Sequence, residues 1–306
     1  MTPPRRSSTS PEGAGRLALA LAGALVAALA PAAAQAQACC VGTGLVTPAR
    51  LRVFEDYGVG IQTRVRSVMG SFDSGGGYVG SPAGDDEVDL GQDLFAAARF
   101  GNFQGALRIP FVEIGRRETG VSVFGGGLGD VAANLRYDLT LAGDHPRWPG
   151  IAVLAGLSVP TGRAIEESPT GATGLGSFEG NLGLAFEQVV GRTFVSLTGF
   201  VVQQTARTVF GMPVSYGTRL TALAAGGYAF ANELTLGGFV LATRRKDEAT
   251  RSKDEALVTA GAAVAIPLDD HWRVQGTLAG DLPFAGWGKN QLTGAGLTAS
   301  ILRVWM

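Results

Sequence analysis

Histidine and cysteine are nearly missing: the 306-residue chain has two of each. His145 and His271 cannot build a histidine-rich metal centre. Neither has a serine nucleophile in its own motif, GDHP or DDHW, so turn polarity explains both and no catalytic residue emerges. The cysteines are adjacent, Cys39-Cys40, where an ordinary disulfide with Cα atoms about 5.5 Å apart does not fit. Lipidation of Cys39 and a plain pair of terminal thiols are the two readings left. Charge is scarce too, at 17% of residues, below the ordinary quarter or so. A formal net charge of −1 shows no basic footprint, which argues against a nucleic-acid partner. After the first 38 residues no apolar run reaches the roughly 18 residues that a membrane-spanning helix needs.

What the chain does have begins with an export signal. Arg5, Arg6 and Arg16 precede LALALAGALVAALAPAAA, and Ala34-Gln35-Ala36 or Ala36-Gln37-Ala38 offers a small-x-small cleavage site. A cleaved signal peptide over 1–38 fits better than an anchor, because the apolar run is barely long enough and contains Pro31. Arg5-Arg6 lacks the hydrophobic consensus expected after a twin-arginine pair. Removing Arg5, Arg6, Arg16 and Glu12 takes the formal charge from −1 to about −3.

Glycine is abundant, with 46 residues; it disfavours long helices and suits strands, turns and wide loops. The dominant period is two. In VAANLRYDLTL, residues Val131, Ala133, Leu135, Tyr137, Leu139 and Leu141 share one side of an extended chain, and Asn134, Arg136 and Asp138 share the other. The same alternation predicts strands near 55–67, 88–100, 105–114, 130–141, 150–159, 179–190, 193–204, 217–229, 233–244, 256–267, 271–282 and 292–306. Each is near or above the roughly 9–11 residues a tilted strand needs to cross a bilayer. Connections alternate in length along the chain, with short ones such as FGNFQG, VVGR and PLDD between long ones such as PTGRAIEESPTGATGLGSF. That order suits a barrel with tight periplasmic turns and large extracellular loops.

The expected fold is therefore all-β: a transmembrane, antiparallel up-and-down β-barrel of about twelve strands. A periplasmic segment at 39–50 would lead into an outer-membrane barrel over 51–306, with no separate plug domain. The apolar strand face would meet outer-membrane lipid. The polar face would line the lumen with Arg64, Asp93, Arg99, Asn134, Arg136, Asp138, Glu187, Arg219 and Arg273, charges that are costly if buried singly in a dry core. Tyr57, Phe100, Tyr137, Phe186, Tyr228, Trp272 and Trp305 fall near strand ends, as in an interfacial aromatic belt. The last strand carries Leu302 and Val304 in an alternating pattern, but Trp305 stands one place before the final Met306, an imperfect match to the ending read by the barrel-assembly machinery.

Other motifs are bland. Asp85, Asp86, Glu87 and Asp89 are acidic but lack EF-hand spacing, so no metal site is expected. GGGLGD at 125–130 precedes a strand, whereas a phosphate-cradling loop precedes a helix; no cofactor is expected.

Three segments carry a family likeness: GGGLGDVAANLRYDL, then GLSVPTGR at 156–163, then TGATGLGSFEGNLGLAFEQ at 170–188. Together they resemble the outer-membrane barrel transporters named for the meta-pathway of phenol degradation. The resemblance implies passage of small molecules, aromatic or hydrophobic compounds among them, with no catalytic residue and no cofactor. Gly127, Leu128, Gly129 and Asp130 match its first motif and Pro160, Thr161 and Gly162 its second, as residues shaping loop bases. The expected function is an outer-membrane channel for a small-molecule solute. A non-conducting structural or adhesion barrel is the alternative, marked by loop apolars Phe124, Phe210 and Trp287; a barrel hydrolase using the histidines ranks below both.

Overall fold

The computed structural model describes residues 50–82, 86–118, 121–144, 148–164, 171–214, 217–246, 254–284 and 286–306. The signal segment, Cys39, Cys40, Asp85 and His145 therefore lie outside the described residues. Every regular element among those described is a strand. In chain order these are β1 (Tyr57–Phe72), β2 (Tyr78–Gly80), β3 (Asp86–Phe100), β4 (Phe103–Glu118), β5 (Val121–Leu128) and β6 (Val131–Thr140). There follow β7 (Gly150–Val159), β8 (Glu179–Val190), β9 (Thr193–Gln204), β10 (Arg207–Val209), β11 (Met212–Val214) and β12 (Arg219–Ala229). The last are β13 (Thr235–Arg245), β14 (Glu255–Pro267), β15 (Trp272–Asp281), β16 (Gly288–Lys289) and β17 (Leu292–Trp305).

Twelve of them, β1, β3, β4, β6, β7, β8, β9, β12, β13, β14, β15 and β17, pair antiparallel with their chain neighbours. β17 then pairs back onto β1 from Tyr57↔Trp305 to Ser71↔Leu292, which closes the sheet. This is the expected up-and-down barrel, and all twelve expected strands are present. Closure leaves the main sheet no free edge, so its backbone donors and acceptors are met within the wall.

The alternation that predicted the strands also fixes which side faces out. On β6, Tyr137 is 47% and Leu139 54% exposed, whereas Asp138 between them is 2% exposed. Val59, Leu94, Leu182, Leu197 and Leu278 continue the apolar exterior around the wall. Such a surface is at rest only against hydrocarbon, which places the barrel in the outer membrane.

At the end with short connections, two-residue turns join β3 to β4 and β8 to β9, with Gly101 at φ 59° and Gly191 at φ 58°. Glycine takes this left-handed backbone without a Cβ penalty. An aromatic girdle surrounds the same end. Tyr57 meets Phe100 edge-on at 6.1 Å, Tyr228 meets Phe230 at 5.0 Å, and the Arg303 guanidinium lies over both Trp272 and Trp305. On the last strand Leu302 and Val304 are buried inside the barrel, while Leu297, Ile301 and Trp305 form its outer face.

Besides the short strands β2, β10, β11 and β16 in the long connections, two features add to the expected plan. β4 pairs with β6 only through Arg108↔Ala132 and then, from Phe111↔Leu128, with β5. Pro110, which has no N–H to give, falls where β4 changes partner. Residues 121–128, read from sequence as loop, thus form a strand. The second lies ahead of β1, where Leu51 and Glu55 are turned into the barrel interior without forming part of a strand. Leu51 packs on Phe95, Ala97, Leu302 and Val304. A Cβ on Gly58 would stand 2.8 Å from a Leu51 methyl, so a side chain there has to displace Leu51.

Candidate functional site

Period two delivers polar side chains from every barrel strand to the interior, and these sort into two levels. The lower level closes the mouth at the short-turn end. Arg99 donates to Asp138 at 2.9 Å, Arg136 donates through Nε to the same carboxylate at 2.7 Å, and both Arg136 and Arg50 bind the two oxygens of Glu187. Arg273 donates to Glu55 at 3.1 Å, while the Arg52 N–H donates to the other Glu55 oxygen at 2.8 Å. The N-terminal segment is therefore held by charge as well as by Leu51. Charged groups out of water keep their charge only with such partners, and breaking one pair strands the other member.

The upper level is more open. Arg64 pairs with Asp93 at 3.0 Å, and Arg219 pairs with Glu179 at 2.8 Å, where Gln204 also donates. Arg245 meets Glu255 at 3.1 Å, and Arg66 meets Asp281 at 3.1 Å. Asn134 and Asn181 converge over Gly156, where a Cβ would stand 2.7 Å and 2.4 Å from their amide atoms. Between the levels lies a cavity of about 630 Å³ that runs from Arg50 and Arg136 up to residues 172–175. Phe95, Leu154, Phe200 and Leu223 give it an apolar wall; Arg64, Arg108, Arg219, Asn134 and Asn181 supply the polar groups. A mostly apolar concavity with a few directed polar groups is the usual form of a small-molecule site.

All nine side chains expected in the lumen lie on the inward face, but they do not form one group. Arg99, Arg136, Asp138, Glu187 and Arg273 belong to the mouth, whereas Arg64, Asp93, Asn134 and Arg219 belong to the cavity level. Sequence reasoning passed over Glu55, Arg66, Arg108, Glu179, Asn181 and Asp281. Arg108 was legible by the same rule, since Ala106, Arg108 and Pro110 alternate with the outward Leu107, Ile109 and Phe111.

The family-type motif residues meet at the far rim. Gly129 donates its N–H to the Pro110 carbonyl at 2.8 Å, and the Thr161 hydroxyl donates to the Gly129 carbonyl at 2.8 Å while accepting from the Val131 N–H at 3.0 Å. Asp130 accepts from the backbone N–H groups of Gly162 and Leu175. Thr173 donates to the Leu128 carbonyl at 2.6 Å, and Arg163 reaches the Gly126 carbonyl beside Gly127. Pro160 starts this connection, Gly162 and Gly174 pack backbone to backbone, and the Asp130 carboxyl lies against Gly174. These bonds hold residues 161–163 and 173–175 along β5 and the start of β6.

His271 sits in an exposed turn, where its own N–H and that of Trp272 donate to Asp269 at 2.7 Å. These donors hold the Asp269 carboxyl below the usual range. The arrangement is a turn cap, not an oriented catalytic base. No cluster of histidine, cysteine, aspartate or glutamate suited to a metal occurs among the described residues.

Solved structures give the same architecture. The COG4313 outer membrane channel from Pseudomonas putida F1 superposes with a TM-score of 0.70 at 14% identity, over 84% of this chain and 97% of that one. The chain has the fold of an outer-membrane β-barrel. The NanC porin gives a TM-score of 0.51 at 6% identity, over 81% of this chain and 100% of its own. The translocator domain of the autotransporter NalP from Neisseria meningitidis gives 0.50 at 12% identity, over 96% and 98%. No protein-family model and no curated protein matches the chain.

Proposed function

We propose that this barrel is an outer-membrane channel for small molecules, including aromatic or hydrophobic compounds, with the inner face as its path. The observation that carries this reading is the cavity itself: a closed wall encloses arginines and asparagines beside an apolar surface, where a purely structural barrel could pack its interior with apolar side chains. Kinship with the phenol meta-pathway transporters is part of the proposal and rests on the segments at 125–190. The similar Pseudomonas putida structure is described as a channel, which agrees with it. Residues 1–38 act as the cleaved export signal, and the barrel-assembly machinery inserts the mature chain.

The occupied mouth favours a second reading, a sealed barrel acting through its rim, where Phe124 and Phe210 are strongly exposed. Osmotic swelling of proteoliposomes in arabinose separates the two. A channel swells its liposomes faster than protein-free controls; swelling at the control rate means a sealed barrel and removes the channel reading.

A further inference from the structure

Arg108 is the one arginine of the cavity level that finds neither a hydrogen bond nor an ion pair among the described residues, and its Nε is buried without a partner. Its place in the sheet explains why. Directly across the ladder stand Phe95 on β3 and Ala132 on β6, and its inward neighbours on β4 are Ala106 and Pro110. The carboxylates whose fields reach it are Asp93 and Glu179, and each already holds its own arginine, Arg64 and Arg219. Of the five arginines that line the cavity, the other four hold carboxylates: Arg64 holds Asp93, Arg219 holds Glu179, and Arg50 and Arg136 hold Glu187. An unpaired cation at membrane depth is costly and marks a functional position.

We infer that Arg108 is the anchor of a binding site for an amphipathic organic anion, a carboxylate carried on an apolar or aromatic body. The guanidinium supplies two parallel N–H donors of the spacing a carboxylate accepts. The wall beside it, Phe95, Phe200 and Leu223, offers apolar surface to the rest of the solute. A neutral hydrophobic compound would leave Arg108 uncompensated, and a small inorganic anion would leave the wall unused. This inference deepens the channel reading and takes from it only that solutes enter the lumen.

Benzoate, benzyl alcohol and acetate serve as probes in calorimetric titrations of the refolded full barrel in detergent. Benzoate is expected to bind about tenfold or more tightly than either other probe, a difference of about 1.4 kcal/mol. Arg108→Gln should bring benzoate down to the level of benzyl alcohol, and Arg108→Lys should keep part of the preference; a native circular-dichroism spectrum shows that each variant is folded. Absence of benzoate binding, equal binding of benzoate and benzyl alcohol, or a preference that survives Arg108→Gln overturns the anchor. Acetate binding as tightly as benzoate overturns the amphipathic class. A barrel that swells liposomes but lacks the preference loses this inference and keeps the channel, whereas one that has the preference without swelling loses the channel and keeps the site.

Discussion

Glu187 is the residue on which the closed mouth depends most. It accepts from two arginines of different origin, Arg136 of the wall and Arg50 of the inserted segment. Glu187→Gln keeps the shape but takes away the carboxylate that Arg50 and Arg136 share, leaving Arg136 with Asp138; breaking a buried pair costs about 3–5 kcal/mol. Thermal unfolding should fall accordingly, and trypsin should gain access at Arg50 and Arg52; unchanged melting and unchanged cleavage would contradict this role. Gly58→Val tests the apolar half of the same contact, because the new side chain must take the space of the Leu51 methyl. It should expose the N-terminal segment to trypsin while the barrel keeps its β spectrum, and a segment as protected as wild type would count against the packing described. At this scale the inward charges could be read directly from the sequence, because one rule, alternation, assigns each side chain to a face. Their division between mouth and cavity could not, since it depends on which strands lie opposite one another.

Among the elements, the twelve wall strands were legible because each keeps its period over a bilayer's thickness. β5 was not, because VSVFGGGLG carries three consecutive glycines and has a strand partner only where β4 runs past β6. Residues 50–55 have no period at all, and their insertion follows from tertiary contacts of Leu51 and Glu55. Burial of Leu302 and Val304 has the same source: the last strand alternates, but its sequence has apolar residues on both faces, and only the presence of Leu51 inside tells them apart. The motif residues show why glycine and aspartate recur at the rim. Asp130→Ala removes two acceptors that hold the connection between β7 and β8 to the wall, each hydrogen bond to a charged group worth about 1.5–3 kcal/mol. Limited digestion with trypsin should then cut at Arg163 while the rest of the barrel resists. Protection equal to wild type would show that the connection is held by other contacts.

For the whole molecule, the wall and the lumen are made by the same alternation, so a sequence that satisfies lipid outside also delivers charge inside. Those charges are largely self-paired, and the inserted segment lies across the mouth, so on the channel reading proposed above current requires that segment to yield. The ion pairs then tune the path by field and hydrogen bonding. Single-channel recording of the refolded mature protein in a planar bilayer, with Arg64→Ala and Arg136→Ala beside it, tests this most directly. Discrete conductance steps are expected, with anion preference reduced in both variants and a longer open time in Arg136→Ala, which loosens the mouth. Insertion without conductance in all three proteins, or a selectivity that ignores both arginines, would contradict a polar lumen as the path.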